Sequence, residues 1–326
     1  LKRNPYGIIK ENKGKPGIVS TLYAVYHVTE LGHPAYLDHY FSRDYNLNSY
    51  LQPIVRKGAK NDMKVNNAAV LSGEILAPKI PEQQKIADCL TSLDEVIAAQ
   101  GRKVEILRTY KRGLRQQLSR REGETIPRIR FPEFQDGERW EEKPLKEICE
   151  INPANNGLPE SFIYIDLGSV EGGVLNARKR IEKRDAPSRA QRLLKNGDVV
   201  FQIVRPYQRN NLFVRFDDDE VYVASTGYAQ LRAKDSEAFL YQVVHTDSFV
   251  DRVIAKCTGL NYPAINSSDL ADVLLPVPPT VRERKIIADC LASLDSQITA
   301  DFEKLCALKA HKQGLMQQLF TSSADA

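Results

Sequence analysis

Hydrophobic residues recur at alternating steps of four and three over two long segments of the chain, 86–118 and 287–319. Eight of the ten positions on this step are apolar in each segment. An apolar repeat of about 3.5 residues over several heptads is typical of helices that pair as a coiled coil. The alternative is two amphipathic helices that each pack on their own domain. The predicted apolar seam consists of Ile86, Leu90, Leu93, Ile97, Val104, Leu107, Leu114, Leu118, Ile287, Leu291, Leu294, Ile298, Leu305, Leu308, Leu315 and Leu319.

The two segments are copies of each other, because 18 of their 33 residue pairs are identical at a constant offset of 201. The polar exceptions also match: Gln100 aligns with Asp301, and Lys111 aligns with Lys312. Polar residues inside a seam cost stability but can fix its register, so their repetition favours helices that pack on each other. The first helix leads into a globular segment and the second leaves it, which predicts an antiparallel pair. At 1.5 Å per residue, each helix is about 55–60 Å long.

Short alternating stretches bounded by turn residues follow the first helix and indicate strands: FIYIDLG (162–168), DVVFQIV (198–204), LFVRF (212–216) and VYVAST (221–226). One later stretch, EAFLYQVVHTDSFVDRVIAKC (237–257), has helical spacing. The segment is therefore predicted to be a mixed α/β domain.

The first 80 residues repeat the later part of this domain. STLYAVY (20–26) matches STGYAQL (225–231), whereas nothing in the first copy corresponds to residues 140–200. We therefore expect the first domain to lack its beginning, as in an N-terminally truncated chain.

The predicted architecture is α/β (α+β) domains joined by two long antiparallel coiled-coil helices, with an internal pseudo-two-fold repeat. The first half would hold a partial domain and a helix, and the second half a linker, a complete domain, a helix and a tail. The predicted segments are, in that order, 1–80, 81–121, 122–139, 140–278, 279–321 and 322–326.

The composition permits a nucleic-acid ligand but does not require one, since the formal net charge is only +4. No apolar run reaches the roughly 18–20 residues of a membrane-spanning helix, and the N-terminus has no signal-peptide pattern. The five cysteines are odd in number and include no C-x-x-C motif. They indicate reduced thiols in a cytoplasmic protein rather than a disulfide framework or a zinc site.

Motifs for catalysis are missing from the sequence. INPAN (151–155) is the nearest approach to the Asn/Asp-Pro-Pro-aromatic loop of an adenine methyltransferase, and it lacks the second proline and the aromatic residue. No G-x-x-x-x-G-K-[ST] phosphate loop occurs, and the five histidines form no H-E-x-x-H motif. DDDE (217–220) would suit Mg²⁺, but four acids between strand-like stretches indicate a solvated turn. We expect no catalytic residue and no metal site in this chain.

The order domain, long helix, domain, long helix resembles the specificity subunit of type I restriction–modification systems. PEQQKIADCLTSLDEVI (81–97) and PVPPTVRERKIIADCLASLD (276–295) look like the beginnings of that family's two helices. RIRFPEFQDGERWEEKPLKEI (128–148) is similar to the start of its second target-recognition domain, and TGLNYPAINSSDLADVLLPVP (258–278) to the end of such a domain.

The resemblance implies a non-catalytic subunit that reads a two-part DNA sequence, one half with each target-recognition domain. Its helices would dock two methyltransferase subunits, which methylate adenine N6, and restriction subunits would join through that core. S-adenosylmethionine, ATP and Mg²⁺ would belong to these partners, and this chain would bind no cofactor. A rigid helix pair about 55 Å long would hold the two domains about 15 base pairs apart and leave the spacer unread.

Polar side chains in turn-rich segments are the candidates for DNA contact, because Arg, Gln, Asn and Lys pair with base edges or phosphates. VRPYQRNN (204–211) and KCTGLNYPAIN (256–266) combine them with tyrosines, and NARKRIEKRDAPSRAQR (176–192) is a basic run. The alternatives are a capped surface turn for the first and a solvated charged face for the last. The candidate residues are Arg205, Tyr207, Gln208, Arg209, Asn210, Asn211, Lys256, Thr258, Asn261, Tyr262, Arg178, Lys179, Arg180 and, in the first domain, Arg3, Asn4, Tyr6, Lys57, Lys60 and Asn61.

Two other functions stay open from the residues alone. One is a coiled-coil structural adaptor with non-specific DNA binding, which sequence-blind, salt-sensitive binding would favour. The other is an enzyme whose methyltransferase or nuclease domain precedes the first residue. The repeat predicts that only about 60 residues are missing, too few for such a domain.

Overall fold

The computed structural model describes residues 7–21, 23–57, 63–64, 66–120, 123–259 and 261–320. Its α-helices are α1 (Pro34–Phe41), α2 (Asp44–Leu51), α3 (Asn67–Leu71), α4 (Ile80–Gln117), α5 (Leu145–Ile148), α6 (Glu237–Val243), α7 (Asp247–Ala255), α8 (Ser267–Ala271) and α9 (Val281–Leu319). Its strands are β1 (Arg56–Lys57), β2 (Met63–Lys64), β3 (Glu141–Pro144), β4 (Cys149–Ile151), β5 (Ser161–Ile165), β6 (Val170–Glu171), β7 (Val174–Leu175), β8 (Lys179–Glu182), β9 (Ala190–Leu193), β10 (Val199–Gln202), β11 (Leu212–Phe213), β12 (Tyr222–Ser225), β13 (Tyr228–Ala233) and β14 (Leu274–Val277).

The chain divides into two compact units. Unit 1 comprises residues 1–105 and 299–326, and unit 2 comprises residues 106–298. The two long predicted helices are present as α4 and α9, and each contributes one part to unit 1 and the other part to unit 2. No helix in the described ranges is both long and apolar enough to cross a membrane.

Helices form the core of unit 1. Tyr36 of α1 packs with Ile86 and Leu90 of α4 and with Met316 of α9, and all four are buried. The ring of Phe320 meets the Tyr36 ring edge-on, with 5.4 Å between the centroids. Burial of such side chains contributes roughly 1.5–3 kcal/mol each, so this cluster holds the short helix against the long ones.

Polar side chains of α4 and α9 contact each other inside unit 1. Gln100 Nε2 donates to Asp301 Oδ1 at 2.9 Å, and Lys103 Nζ lies 2.8 Å from the same oxygen. Lys312 Nζ lies 2.5 Å from Asp94 Oδ1. Because residue numbers rise along α4 as they fall along α9, these parts of the two helices run antiparallel.

A second ion pair of the same kind lies in unit 2, where Lys111 Nζ is 2.5 Å from Asp295 Oδ1. Its two residues align with those of the Asp94–Lys312 pair at the offset of 201. Every residue of the predicted apolar seam is buried or half-buried, whereas Val96 beside it is exposed. The 3.5-residue pattern thus marks the sides of α4 and α9 that are withdrawn from solvent.

We expect Asp94 and Lys312 to be energetically coupled. In a double-mutant cycle with Asp94→Ala and Lys312→Met, the coupling energy should be about 0.5–1 kcal/mol, modest because the Asp94 side chain is 46% exposed. Urea denaturation of the four proteins measures it. The more exposed Lys146–Asp272 pair serves as the control and should give a smaller coupling. Coupling no larger than in this control would contradict the antiparallel contact.

Two four-stranded sheets form the body of unit 2. One has the order β11-β10-β13-β4 and is antiparallel throughout, and the other has the order β8-β5-β12-β9 with β5 and β12 parallel. Side chains of both sheets share one core, which includes Val200 and Tyr228 from the first sheet and Ile163 and Ala224 from the second.

A larger core of unit 2 joins the first sheet to its helices. Phe201 of β10 meets Phe249 of α7 edge-on, with 5.8 Å between the ring centroids. Leu240 of α6 and Ile287 and Leu291 of α9 are buried in the same cluster. The long helix is therefore part of the hydrophobic core of unit 2, not a separate appendage.

The strand predictions for residues 162–168, 198–204 and 221–226 are confirmed by β5, β10 and β12. In the predicted strand 212–216, only the first two residues pair as β11. The mixed α/β prediction for this domain is therefore confirmed.

The helical spacing of residues 237–257 is confirmed, but the stretch forms two separate helices, α6 and α7, with a break between them. The break is caused by Thr246, which lies outside helical geometry at the N-cap of α7, and its side chain accepts a hydrogen bond from Phe249 N. Threonine at this position satisfies one of the free backbone N–H groups that begin a helix.

The segment 20–26 forms no strand at its described residues, although it resembles β13 in sequence. Tyr23 and Val25 are 63% and 73% exposed, whereas Tyr228 and Leu231 of β13 are fully buried. β13 is hydrogen-bonded on both sides, to β10 and to β4. At its described residues, the segment 20–26 pairs with no strand, so its backbone lacks the hydrogen bonds that hold β13.

Candidate nucleic-acid interface

Two polar loops of unit 2 that are far apart in sequence lie side by side. Loop A (residues 204–211) follows β10, and loop B (residues 256–266, described except for residue 260) follows α7. Arg205 N donates to Pro263 O at 2.7 Å. Both loops contain candidate DNA-binding residues, so the fold brings two separately predicted segments into one surface.

Further backbone hydrogen bonds fix the geometry of this pair. Ile265 N donates to Ile203 O at 3.1 Å, next to a bridge between Val204 and Ala264. Thr258 and Ala264 exchange two hydrogen bonds of 2.9 and 3.0 Å, which close loop B on itself. Loop B is thus anchored to the strand that precedes loop A.

Loop A has an unusual backbone. Arg205 and Arg209 are left-handed, with φ values of 56° and 55°, and they flank the 3-10 turn Pro206–Gln208. A left-handed residue other than glycine costs about 1–3 kcal/mol and persists only where its surroundings impose it. Strain of this kind is concentrated at functional sites, and here it occurs twice within five residues.

Gln202, at the end of β10, forms a buried polar floor beneath loop A. Its Nε2 donates to Val204 O and to Gln208 Oε1, both at 2.8 Å, and its Oε1 accepts from Asn210 N at 3.1 Å. Its own backbone N–H donates to Asn211 Oδ1 at 2.8 Å. The Gln202 side chain is therefore fully engaged in holding the loop, which is the expected condition of a buried amide.

His245, in the break between α6 and α7, lies beside this floor. One ring nitrogen, Nδ1, is 2.6 Å from Tyr241 O, and the other, Nε2, is 3.3 Å from Asn211 Nδ2. Burial, helped by the positive charge of Arg115, lowers the pKa of His245 to about 3. The imidazole is consequently neutral over the physiological range.

The burial of His245 makes the stability of the protein depend on pH. In the unfolded chain a histidine takes up a proton below a pKa of about 6.5, whereas the folded His245 has a pKa of about 3. The unfolded state therefore binds more protons as the pH falls. The stability from this group is complete above about pH 6.5 and is lost progressively toward about pH 3.

Between pH 7 and pH 5, His245 should account for a loss of about 2 kcal/mol in the free energy of unfolding. Urea denaturation at several pH values measures this loss in the wild type and in His245→Gln, which should lack it. The exposed His311 offers a matched control, because His311→Gln should keep the wild-type pH dependence. Equal pH dependence in all three proteins would contradict the assignment.

Above the floor, loops A and B expose aromatic and cationic groups. Tyr207 and Tyr262 are 51% and 64% exposed. The guanidinium carbon of Arg205 lies 4.2 Å from the centroid of the Tyr262 ring, a cation–π contact that connects the two loops. Exposed tyrosine rings stack on bases, and a guanidinium pairs with the edge of guanine, so this surface has the chemistry for nucleic acid.

Arg209 is engaged with the protein rather than with the open surface. Its Nη2 lies 2.6 Å from Asp247 Oδ1, and its Nη1 donates to His245 O at 3.2 Å. Asp247 also contacts Arg112 of α4, at 3.4 Å. The aspartate therefore joins loop A to the long helix within unit 2.

The remaining candidates of the two loops differ in exposure. Gln208 and Asn210 each form one hydrogen bond with the Gln202 side chain, through Gln208 Oε1 and through the backbone N–H of Asn210. Asn211 is only 1% exposed. The three remaining candidates of loop B, Lys256, Thr258 and Asn261, are exposed.

The basic run 176–192 is partly neutralised by the acidic turn. Arg178 Nη1 lies 2.7 Å from Asp218 Oδ2, and Arg180 forms an ion pair with Glu220. Lys179, between the two arginines, is exposed. The DDDE turn (217–220) is exposed, as predicted, and two of its acids form ion pairs with Arg178 and Arg180.

The candidates of the first domain cannot be placed in a site. Arg3, Asn4, Tyr6, Lys60 and Asn61 lie outside the described residues. Lys57 belongs to β1, but its side chain is also outside the description. In the part of the chain that the structure describes, no group of three or more His, Cys, Asp or Glu residues is arranged to hold a metal ion.

Three residues of the site escaped prediction from sequence: Gln202, His245 and Asp247. Gln202 ends an apolar strand, and the other two follow a helical pattern, so their residue types gave no sign of a shared environment. The only local signal was the T-D-S-F sequence, whose threonine is a typical helix N-cap and marks the break beside His245.

Comparison with known proteins identifies a family and relatives that this chain resembles. The family model of the type I restriction modification DNA specificity domain matches residues 137–309, which include loops A and B. The type I restriction enzyme MjaVIII specificity subunit of Methanocaldococcus jannaschii is 23% identical over 266 residues, which are 76% of this chain and 61% of that protein. The HindI specificity subunit of Haemophilus influenzae is 23% identical over 189 residues, 56% of this chain and 40% of that protein.

A solved structure shares the fold. The crystal structure of the type I restriction–modification system S subunit from M. genitalium superposes with a TM-score of 0.56 at 14% sequence identity, over 90% of this chain and 74% of that one. The chain spans 61% and 40% of the lengths of the two relatives from M. jannaschii and H. influenzae.

Proposed function

Because the chain belongs to the family of the type I restriction–modification DNA specificity domain, we propose that it is the DNA-recognition subunit of a type I restriction–modification complex. The observation that carries the proposal is the junction of loops A and B, where Arg205 stacks on Tyr262 beside the exposed Tyr207. These loops present to solvent the side chains that read bases, and a buried polar floor holds them in place.

In this proposal, loops A and B enter the major groove of double-stranded DNA. The Arg205 guanidinium has the fork of donors that pairs with O6 and N7 of guanine, and Tyr262 limits its freedom before binding. One such bidentate pair discriminates against a wrong base by about 1–3 kcal/mol. Lys179 and Lys256, which are exposed, are suited to phosphate contacts that position the domain without reading sequence.

We further propose that the target has two parts, one for each recognition domain, and that α4 and α9 form an antiparallel coiled coil with pseudo-two-fold symmetry. The support is the pair of equivalent contacts, Asp94–Lys312 in unit 1 and Lys111–Asp295 in unit 2. α4 has 38 residues. Its length of about 57 Å corresponds to about 17 base pairs, which would bound the span of the target.

The proposed partners follow from the family. The helices would dock two methyltransferase subunits, and restriction subunits would join through that assembly. Adenine N6 methylation and ATP-dependent cleavage would then belong to the partners, together with S-adenosylmethionine, ATP and Mg²⁺, and this chain would be a non-catalytic, cytoplasmic subunit.

Selection from random DNA tests the proposal. The full chain is incubated with 40-base-pair duplexes whose central positions are randomised (a length about twice the proposed span), and the retained duplexes are sequenced after successive rounds. The proposal predicts enrichment of a short motif that is absent from duplexes retained by a lysine-rich control protein. Retention without any enriched motif would contradict it and would favour a structural adaptor with non-specific DNA binding.

A further inference from the structure

Two backbone groups fix the hydrogen-bonding roles of His245 and Asn211. Tyr241 O is a carbonyl and can only accept, so the proton of the neutral His245 ring lies on Nδ1. The backbone N–H of Gln202 can only donate, so the Asn211 atom that faces it is Oδ1. Asn211 Nδ2 is therefore the donor, and His245 Nε2 the acceptor, across the 3.3 Å contact between them.

The result is a directional series of hydrogen bonds from α6 to the floor of loop A. His245 donates to Tyr241 O, Asn211 donates to His245, and Gln202 N–H donates to Asn211. The Gln202 side chain then holds loop A at three points, as described above. Each donor in this series faces an acceptor. The protonation of the His245 ring and the orientation of the Asn211 amide therefore depend on each other.

His245 also holds the far end of loop A. Its carbonyl oxygen accepts from Arg209 Nη1 at 3.2 Å, and Arg209 is one of the two left-handed residues of the loop. The strained backbone of loop A is thus restrained from both sides by groups of the same histidine. His245, Asn211 and Gln202 are 8%, 1% and 2% exposed, so water cannot readily replace these contacts.

We propose that His245 is a positioning residue for DNA recognition, which acts through Asn211 and Gln202 to hold loop A in the conformation that presents Arg205 and Tyr207 to bases. This inference rests on the proposed function. His245 itself touches no DNA, because it is buried beneath the loop. Its neutral ring, kept so by the low pKa, is the acceptor that the series requires.

Two substitutions at His245 distinguish the role of the Nδ1 donor from that of the Nε2 acceptor. His245→Asn can keep a donor near Tyr241 O but is too short to supply the acceptor for Asn211. His245→Gln can place an acceptor near the former Nε2 position. Asn211→Asp is a second disrupting variant, because it keeps the acceptor for Gln202 N–H but has no donor for the imidazole.

The experiment measures loop order and base preference in the full chain. Hydrogen–deuterium exchange followed by mass spectrometry reports the amides of residues 204–211, well below the unfolding midpoint of each variant. Base preference is the ratio of affinities for the duplex enriched by the wild type and for a duplex with the same bases scrambled. In His245→Asn and Asn211→Asp, we expect about tenfold faster exchange and an about tenfold lower ratio, the effect of one unsatisfied buried polar group. His245→Gln should stay within about threefold of the wild type in both measurements.

Several outcomes would overturn the inference. Wild-type exchange and base preference in His245→Asn and Asn211→Asp would show that loop A does not depend on the histidine. If neither His245→Asn nor Asn211→Asp folds, His245 and Asn211 would serve the stability of the fold and would have no separate role in positioning loop A. If the wild type itself shows no base preference, the proposed function fails, while the exchange measurement still decides whether His245 orders loop A.

Discussion

Replacement of Arg130 by methionine is expected to lower the free energy of unfolding by about 3–5 kcal/mol. Arg130 Nε and Nη2 donate to the two carboxylate oxygens of Glu283 at 2.8 and 2.9 Å, and Trp140 Nε1 donates to the same carboxylate at 3.1 Å. The Glu283 side chain is 1% exposed. Without Arg130, the buried carboxylate of Glu283 would lose two donors and would keep only the Trp140 indole N–H of the three described here. Urea denaturation followed by the fluorescence of Trp140, the single tryptophan, measures the loss.

Two further variants show whether the effect comes from the buried carboxylate. Arg128 is 55% exposed and lies 3.5 Å from Glu124, so Arg128→Met should cost less than about 1 kcal/mol. The double variant Arg130→Met/Glu283→Gln should be more stable than Arg130→Met alone, because a neutral amide is less costly to bury than a charge. Equal stability of Arg130→Met and Arg128→Met would contradict the prediction.

The second large effect is expected on DNA binding. Arg205→Ala should weaken the affinity for the enriched duplex about 10–100-fold, the discrimination supplied by one bidentate contact to guanine. Affinity for the scrambled duplex should change much less, because phosphate contacts do not depend on the base. Fluorescence anisotropy with labelled duplexes measures both affinities.

Arg215 provides a matched control for this prediction. Its guanidinium carbon lies 4.2 Å from the centroid of the Phe213 ring, the same distance as between Arg205 and Tyr262, but it is outside loops A and B. Arg215→Ala removes the same charge and the same type of contact, and it should leave the affinity ratio of the two duplexes unchanged. If both variants lost the preference equally, the effect would be one of net charge, and Arg205 would have no special role.

Local patterns were sufficient to predict part of the regular structure. Short alternating stretches located β5, β10 and β12, and the 3.5-residue repeat located α4 and α9. This is possible because burial of one face of an element sets the spacing of apolar residues along the sequence. The helical spacing over residues 237–257 did not reveal the break between α6 and α7, because the apolar spacing continues across it, while Thr246 stops the first helix from running into the second.

The site could be predicted only as separate pieces. The sequence pointed to loop A through its arginines, asparagines and tyrosine, and to loop B through its lysine, asparagines and tyrosine. Their union depends on contacts such as Arg205 N–H to Pro263 O, which link residues distant in sequence. The buried floor was harder to predict. Gln202 and His245 look like ordinary members of a strand and a helix, and only the fold brings them together with Asn211.

The most direct test of the central claim is methylation mapping of host DNA by sequencing, with the gene for this chain present, deleted, and restored as wild type, Arg205→Ala or Arg215→Ala. We predict a two-part adenine-methylated motif that disappears on deletion, returns with the wild type and Arg215→Ala, and is lost or altered in one of its halves with Arg205→Ala. A methylation pattern that is unchanged by deletion of the gene would contradict the account.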